Sequence, residues 1–95
     1  MITWEQVFAT ELETIAVHEA PDGLIMQVIP QWMEALRTGG EFVFNMIASE
    51  AHTHRGFMSV SNPLQAALFE RIRVRAEKLS EIHAQVSKDQ HRGAR

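Results

Sequence analysis

Cysteine is absent from this chain of 95 residues. Disulfides and thiolate metal sites are therefore excluded, and the fold has to be stabilised by packing alone. Because the chain is too short for two ordinary domains, the sequence predicts a single domain over residues 1–88 and a flexible basic tail over residues 89–95. Pairing with another copy would supplement so small a core, so we expect a homo-oligomer such as a homodimer.

Long apolar runs are also missing. No segment approaches the roughly 18 uninterrupted apolar residues that a membrane span needs. The N-terminal region carries Glu5, Glu11 and Glu13 where a signal peptide would have basic and then apolar residues. The sequence therefore predicts a cytoplasmic protein that makes no membrane contact.

The common catalytic motifs are missing as well. The chain has no glycine-rich phosphate loop, no serine in a nucleophile elbow and no carboxylate pair with a spacing typical of acid–base catalysis. The absence of these motifs makes an enzyme the less favoured prediction. The sequence predicts neither a catalytic residue nor a cofactor.

The residues that are present are typical of a folded protein, with 45% apolar and 22% charged side chains. The charge is unevenly distributed along the chain. Residues 1–62 contain eight acidic and two basic residues, whereas residues 63–95 contain four acidic and seven basic residues. Such an asymmetry can steer a partner or align two subunits head to tail, although it is also typical of a solvated surface of mixed charge.

Helical signals dominate the chain. Thr3 and Gln6 form a potential capping box, which predicts a first helix that begins at Trp4 and ends near Ala20. Asp22 is a potential cap for a second helix, in which Pro30 should cause a kink or a restart. A third helix should then follow the Gly39-Gly40 pair.

The fold class predicted from these signals is all-α, a bundle of about four helices with a long C-terminal helix. The alternative is an α+β fold with short strands near residues 24–29 and 42–47, because short apolar runs fit either state. The Arg55-Gly56 pair should end the third helix. We expect the next residues to form an irregular connection that places Phe57, Met58 and Val60 in the core.

The last helix is the clearest. Asn62 is a potential cap, Pro63 suits the first helical position, and neither glycine nor proline follows until Gly93. The helix should run to about Lys88. Its apolar row alternates in steps of four and three, as in helices that pack along their whole length, and we predict an oligomer interface there. The row consists of Leu68, Ile72, Arg75, Leu79, Ile82 and Val86.

Five histidines are many for a chain of this length. Glu50, His52 and His54 lie close together in sequence, and on a helix Glu50 and His54 would share a face, which suits two ligands of a zinc or other divalent ion. His18 or His83 would have to complete the site. The alternative function is therefore a metal-binding small enzyme or sensor. The ordinary explanation for these histidines needs no metal: histidine is favoured near the C-terminal end of a helix, where the helix dipole is negative.

The basic residues are concentrated in one short stretch of the last helix. Arg71, Arg75 and Lys78 would share a face that could follow the phosphates of a nucleic acid, and Arg73 would point away from it. A further alternative is therefore a regulator that binds nucleic acid. The interspersed glutamates and the net charge of −3 make a salt-bridged helix surface the more frequent case.

Aromatic residues and methionines exceed what so small a core needs. Most should be buried, but any subset left exposed would be a partner site, since these residue types are enriched at interfaces. The set comprises Trp4, Phe8, Met26, Trp32, Met33, Phe42, Phe44, Met46, Phe57, Met58 and Phe69. We expect a protein–protein interaction protein. Because small acidic chains without cysteine are typical of bacterial and phage accessory proteins, an association of base rates, we expect it to be a regulator or inhibitor of a larger bacterial or phage-host protein.

Overall fold

The computed structural model describes residues 2–19, 23–40 and 42–93, with side chains described as far as residue 85. These residues form four α-helices and no strand: α1 (Trp4–Thr14), α2 (Leu24–Thr38), α3 (Val43–Ser61) and α4 (Pro63–Gly93). A π-helical segment, Ile15–Glu19, continues α1. The prediction of a small all-α bundle with a long C-terminal helix is confirmed. The strands considered near residues 24–29 and 42–47 are wrong, because both segments are helical.

The first helix begins at the residue that the sequence predicts. Thr3 caps α1, since its hydroxyl accepts a hydrogen bond from the Gln6 amide and the Gln6 side chain accepts one from the Thr3 amide. The start at Trp4 is thus confirmed. The predicted stop near Ala20 and the predicted cap Asp22 lie outside the described residues.

Pro30 lies inside α2, and the helix does not restart there. A proline in a helix interior costs about 3 kcal/mol. On either side of it Ile29 and Trp32 are each only 1% exposed, and full burial of one large apolar side chain contributes about 1.5–3 kcal/mol. Packing of the flanking residues therefore offsets the lost hydrogen bond.

The predicted end of α3 at Arg55-Gly56 is wrong, because the helix continues through Gly56 to Ser61. A glycine inside a helix costs only about 1 kcal/mol. Since the inner face of α3 runs through Ile47 and Ala51 to Met58, helical continuation turns Phe57 and Val60 outward. They are 73% and 91% exposed, so their predicted place in the core is also wrong.

The α4 helix begins as predicted. The Asn62 side chain accepts a hydrogen bond from the Gln65 amide at 3.2 Å, and Pro63 takes the first helical position. The backbone is helical as far as Gly93, five residues beyond the predicted end at Lys88. The flexible tail over residues 89–95 stays a prediction, and its last two residues lie outside the described ones.

The four helices form two hairpins that share one core. Helices α3 and α4 run antiparallel along each other, joined only by Asn62, and α1 packs against α2. All four helices contribute to one cluster of buried apolar side chains, in which Trp32 of α2 meets Phe69 of α4 edge to face and Phe8 of α1 stacks on Phe44 of α3. The core thus lies between the two hairpins.

Gln65 joins the two hairpins through a buried polar contact. Its side chain is at the start of α4, is 7% exposed and accepts a hydrogen bond from the Ile25 amide in the first turn of α2 at 3.3 Å. Gly23 precedes that turn with a φ of 76°, and a Cβ atom at this position would lie 2.8 Å from the Gln65 Nε2 atom. The positive φ therefore favours glycine at position 23, and a Cβ atom there would also have to displace the Gln65 amide.

Candidate functional site

Two of the three predicted metal ligands take part in the packing between helices. The Glu50 carboxylate accepts a hydrogen bond from the Trp32 indole at 3.3 Å. The His54 ring lies 5.3 Å from the Phe69 ring and 6.4 Å from the Trp32 ring, measured between centroids. Glu50 and His54 thus share a face of α3, as predicted, but their surroundings are largely aromatic.

The other histidines considered for the site lie elsewhere. His52 is exposed, with its Nδ1 atom 3.5 Å from the Arg55 guanidinium. His18 is exposed in the π-helical segment, and His83 lies beside the Phe44 ring and 3.8 Å from the Glu5 carboxylate. Among the residues that the structure describes, no three histidine, aspartate or glutamate side chains are grouped in a way that could hold a metal ion.

The basic stretch of α4 forms ion pairs with the acidic α1 and its π-helical extension. Arg75 binds the Glu11 carboxylate at 2.8 Å and Arg71 binds Glu19 at 2.7 Å. The hydrogen bond to Glu11 raises the pKa of the Arg75 guanidinium. Lys78 is exposed farther along the same helix. Two of the three cations predicted to meet phosphates are thus engaged within the chain.

Arg73 points to a different side of α4, as predicted. It binds Glu70 and Glu77 on its own helix, and hydrogen bonding to Glu70 contributes most to raising its pKa. Glu70 also meets Arg55 of α3 at 3.1 Å. This network is a salt-bridged helix surface, the ordinary explanation for such a sequence.

The charge asymmetry of the sequence therefore has an internal explanation. From one end of α4 to the other, Arg71, Arg75 and His83 face Glu19, Glu11 and Glu5 in reverse order, so the acidic helix lies antiparallel to the basic one. A groove of about 560 Å³ lies between them, with Phe8, Ile15 and Ile72 among its lining residues. The carboxylates of Glu11 and Glu19 on one wall of the groove are paired with the guanidinium groups of Arg75 and Arg71 on the other.

The apolar row predicted as an oligomer interface is covered by the chain itself. Ile72 and Leu79 are at most 1% exposed, and Leu68 and Ile82 are partly buried against the same core. Arg75 is half-buried in its ion pair, and the side chain of Val86 lies outside the described residues. This row holds the single chain together and leaves little of its surface for a second copy.

A second row lies on the opposite side of α3 and is exposed along its whole length. We call it the α3 outer row: Phe42, Met46, Ser49, Thr53, Gly56 and Val60, with Phe57 beside its end. The steps from one member to the next are four, three, four, three and four residues, which is the spacing of a helix that packs on another helix. Exposure is 66% for Phe42 and 40% for Met46 at one end of the row, against 73% for Phe57 and 91% for Val60 at the other.

The chemistry of the α3 outer row is that of an interface core. None of its residues is charged, and residues 56–69 form an uncharged stretch. The Thr53 hydroxyl donates a hydrogen bond to the Ser49 carbonyl oxygen at 3.1 Å, so an apolar partner could cover it without leaving its donor unpaired. A Cβ atom on Gly56 would meet nothing within 4 Å, which means that the surface above it is open.

The large side chains of the α3 outer row expose a substantial apolar area. The four large side chains expose on the order of 500 Å² together, in two groups at opposite ends of the row. The sum is comparable to the largest apolar patches of ordinary monomers, which are often functional. Leu64, 81% exposed in the first turn of α4, lies at the same end of the hairpin as Val60. Among the described residues, the aromatic and methionine side chains left exposed are Phe42, Met46 and Phe57 at the α3 outer row, together with Trp4 of α1 and Met26 of α2.

No protein-family model, curated protein or solved structure matches this chain. No helix of the described residues has the length and apolar character to cross a membrane. Among the described residues, the α3 outer row is an uncharged surface with large apolar side chains at both ends that the fold leaves uncovered over several turns.

Proposed function

We propose that this protein is a protein–protein interaction module that acts in the cytoplasm by docking on a larger protein as its regulator or inhibitor, and that the α3 outer row is the contact surface. One observation supports the proposal above the others. Phe57 and Val60 are 73% and 91% exposed on a regular helix, where water would favour polar side chains.

Covering the α3 outer row would stabilise a complex. Covering apolar surface contributes about 25 cal/mol per Å², so each large residue of the row would stabilise a complex by a few kcal/mol before the costs of association. Interfaces are typically composed of aromatic residues and methionine at their centre with few charges. Phe42, Met46 and Phe57 provide these residue types on one face of α3.

The test uses two matched substitutions. Val60→Glu places a charge in the α3 outer row, and Val74→Glu places the same charge on an exposed position of α4, where valine is 52% exposed. Each variant and the parent chain are immobilised and exposed to an extract of the cells that produce the protein. We expect the parent and Val74→Glu to retain the same partner, and Val60→Glu to lose it. Equal retention by all three chains, or by none, would contradict the proposal.

A further inference from the structure

We propose that a second copy of this chain covers the α3 outer row, with the two α3 helices packed antiparallel about a two-fold axis near residue 51. This inference rests on the proposed function, because it concerns the same contact surface: the second copy covers the row in the free protein, and a larger protein that docks there would have to displace it. The sequence predicted a homo-oligomer through α4, and the exposed row moves the expected interface to α3.

The order of residues in the row is the first argument. In an antiparallel pair centred near residue 51, Phe42 lies opposite Val60, Met46 opposite Gly56, and Ser49 opposite Thr53. The Met46 side chain then meets the open surface above Gly56. Small residues at the centre allow two helix backbones to approach closely, while the large side chains close the contact at both ends.

The absence of charge from the row is the second argument. A two-fold interface brings the same patch of both copies together, so a patch with a net charge would repel itself. The α3 outer row and the uncharged stretch of residues 56–69 have no such repulsion. A partner of opposite charge has nothing on this row to recognise.

The size of the surface is the third argument. The row from Phe42 to Val60 is about 27 Å long at the rise of an α-helix. Its large side chains expose on the order of 500 Å² of the roughly 800 Å² that each partner contributes to a stable interface. Ser49, Thr53 and the neighbouring exposed side chains supply further area, so the contact is large enough for a dimer. Since the contact is the same on both copies, it closes on itself and stops at two.

The first experiment measures the mass of the protein in solution. We expect sedimentation equilibrium of the parent chain to show a monomer–dimer equilibrium. Val60→Glu should raise the dissociation constant about a hundredfold or more, because each dimer would bury two unpaired charges, and Val74→Glu should leave it unchanged. Circular dichroism checks that both variants keep the helical content of the parent.

The second experiment tests the direction of pairing and uses the absence of native cysteine. Phe42→Cys and Val60→Cys chains are mixed and oxidised. Antiparallel pairing predicts disulfides between the two different chains, whereas two copies of Phe42→Cys would hold their thiols about 27 Å apart. Cross-links within each single variant, with none between the two, would show parallel pairing and overturn the inference.

A monomeric parent chain up to roughly 1 mM would also overturn it. If such a monomer still retained a larger protein that Val60→Glu lost, the second copy would be excluded while the proposed function remained. If neither a dimer nor a retained partner were found, both proposals would fail.

Discussion

Two rows of side chains in this protein share the same spacing and have opposite surroundings. The row on α4 that contains Ile72 and Leu79 is covered by the other helices. The α3 outer row alternates in the same steps of four and three, yet its end residue Val60 is 91% exposed. Spacing thus shows that a helix has a face suited to packing, but it does not show whether the same chain covers that face.

The difference arises because α3 has two such faces, whereas the part of α4 whose side chains are described, up to residue 85, has one. The inner face of α3 presents Phe44, Ile47 and Ala51 to the core. The sides of α4 that face away from the core carry Arg71, Lys78 and other charged residues that suit contact with water. A helix that is apolar on opposite sides is typically covered on both, and the single chain covers only one side of α3.

The largest effect should come from the covered row. Leu79→Ala is expected to lower the free energy of unfolding by about 2–5 kcal/mol, because it leaves a cavity at a residue that is 0% exposed. Val60→Ala is the control from the exposed row and should change it by less than about 0.5 kcal/mol in the monomer. Urea unfolding at low protein concentration measures both, and equal losses would show that the two rows do not differ.

Substitution by alanine at two glycines should change the free energy of unfolding in opposite directions. Gly23→Ala should destabilise the fold by about 1–3 kcal/mol, since φ is 76° there and a Cβ atom would lie 2.8 Å from Gln65. Gly56→Ala, on a regular helix with open space, should stabilise the monomer by about 0.5–1 kcal/mol. Thermal unfolding of the two variants beside the parent tests this, and a loss of stability in both would contradict the open surface at Gly56.

A similar effect is expected where the two hairpins are joined. Gln65→Ala removes the acceptor of the Ile25 amide, and a buried donor left without a partner costs about 1–3 kcal/mol. Hydrogen exchange at the Ile25 amide should become faster by a larger factor than exchange at amides in the middle of α3. Unchanged protection at Ile25 would show that the contact does not stabilise the start of α2.

The smallest effect concerns the charged surface of α4. The hydrogen bond from Arg73 lowers the pKa of Glu70 below its usual value of 4.5, so the contact stabilises the fold above pH 4.5 and loses this effect as the pH falls through the lowered pKa. Glu70→Gln should therefore reduce the loss of stability between neutral and acidic pH. Unfolding temperatures measured across this range provide the test, and an unchanged pH profile would mean that the ion pair contributes nothing measurable.

Local signals in the sequence were sufficient for much of the fold. The caps at Thr3 and Asn62 were predicted correctly, because capping depends on residues three positions apart. The restart considered at Pro30 and the helix end predicted at Gly56 were wrong, since packing against distant residues outweighs a local penalty of a few kcal/mol. Helix continuation through Gly56 is also what turns Phe57 and Val60 outward.

The site was harder to predict than the fold. The spacing from Phe42 to Val60 is visible in the sequence, but it becomes a surface only once the whole segment is known to be one helix. The pairing of Arg71 with Glu19 and of Arg75 with Glu11 joins residues more than 50 positions apart. Such pairs depend on how the two hairpins pack against each other. A local sequence pattern does not predict that packing.

The most direct test of the difference between the two rows is the unfolding temperature of the parent chain over a hundredfold range of protein concentration. If the α3 outer row is covered by a second copy, the unfolding temperature should rise with concentration, because mass action stabilises a dimer. The same series with Val60→Glu should be flat. A parent chain whose unfolding temperature is independent of concentration would contradict the account.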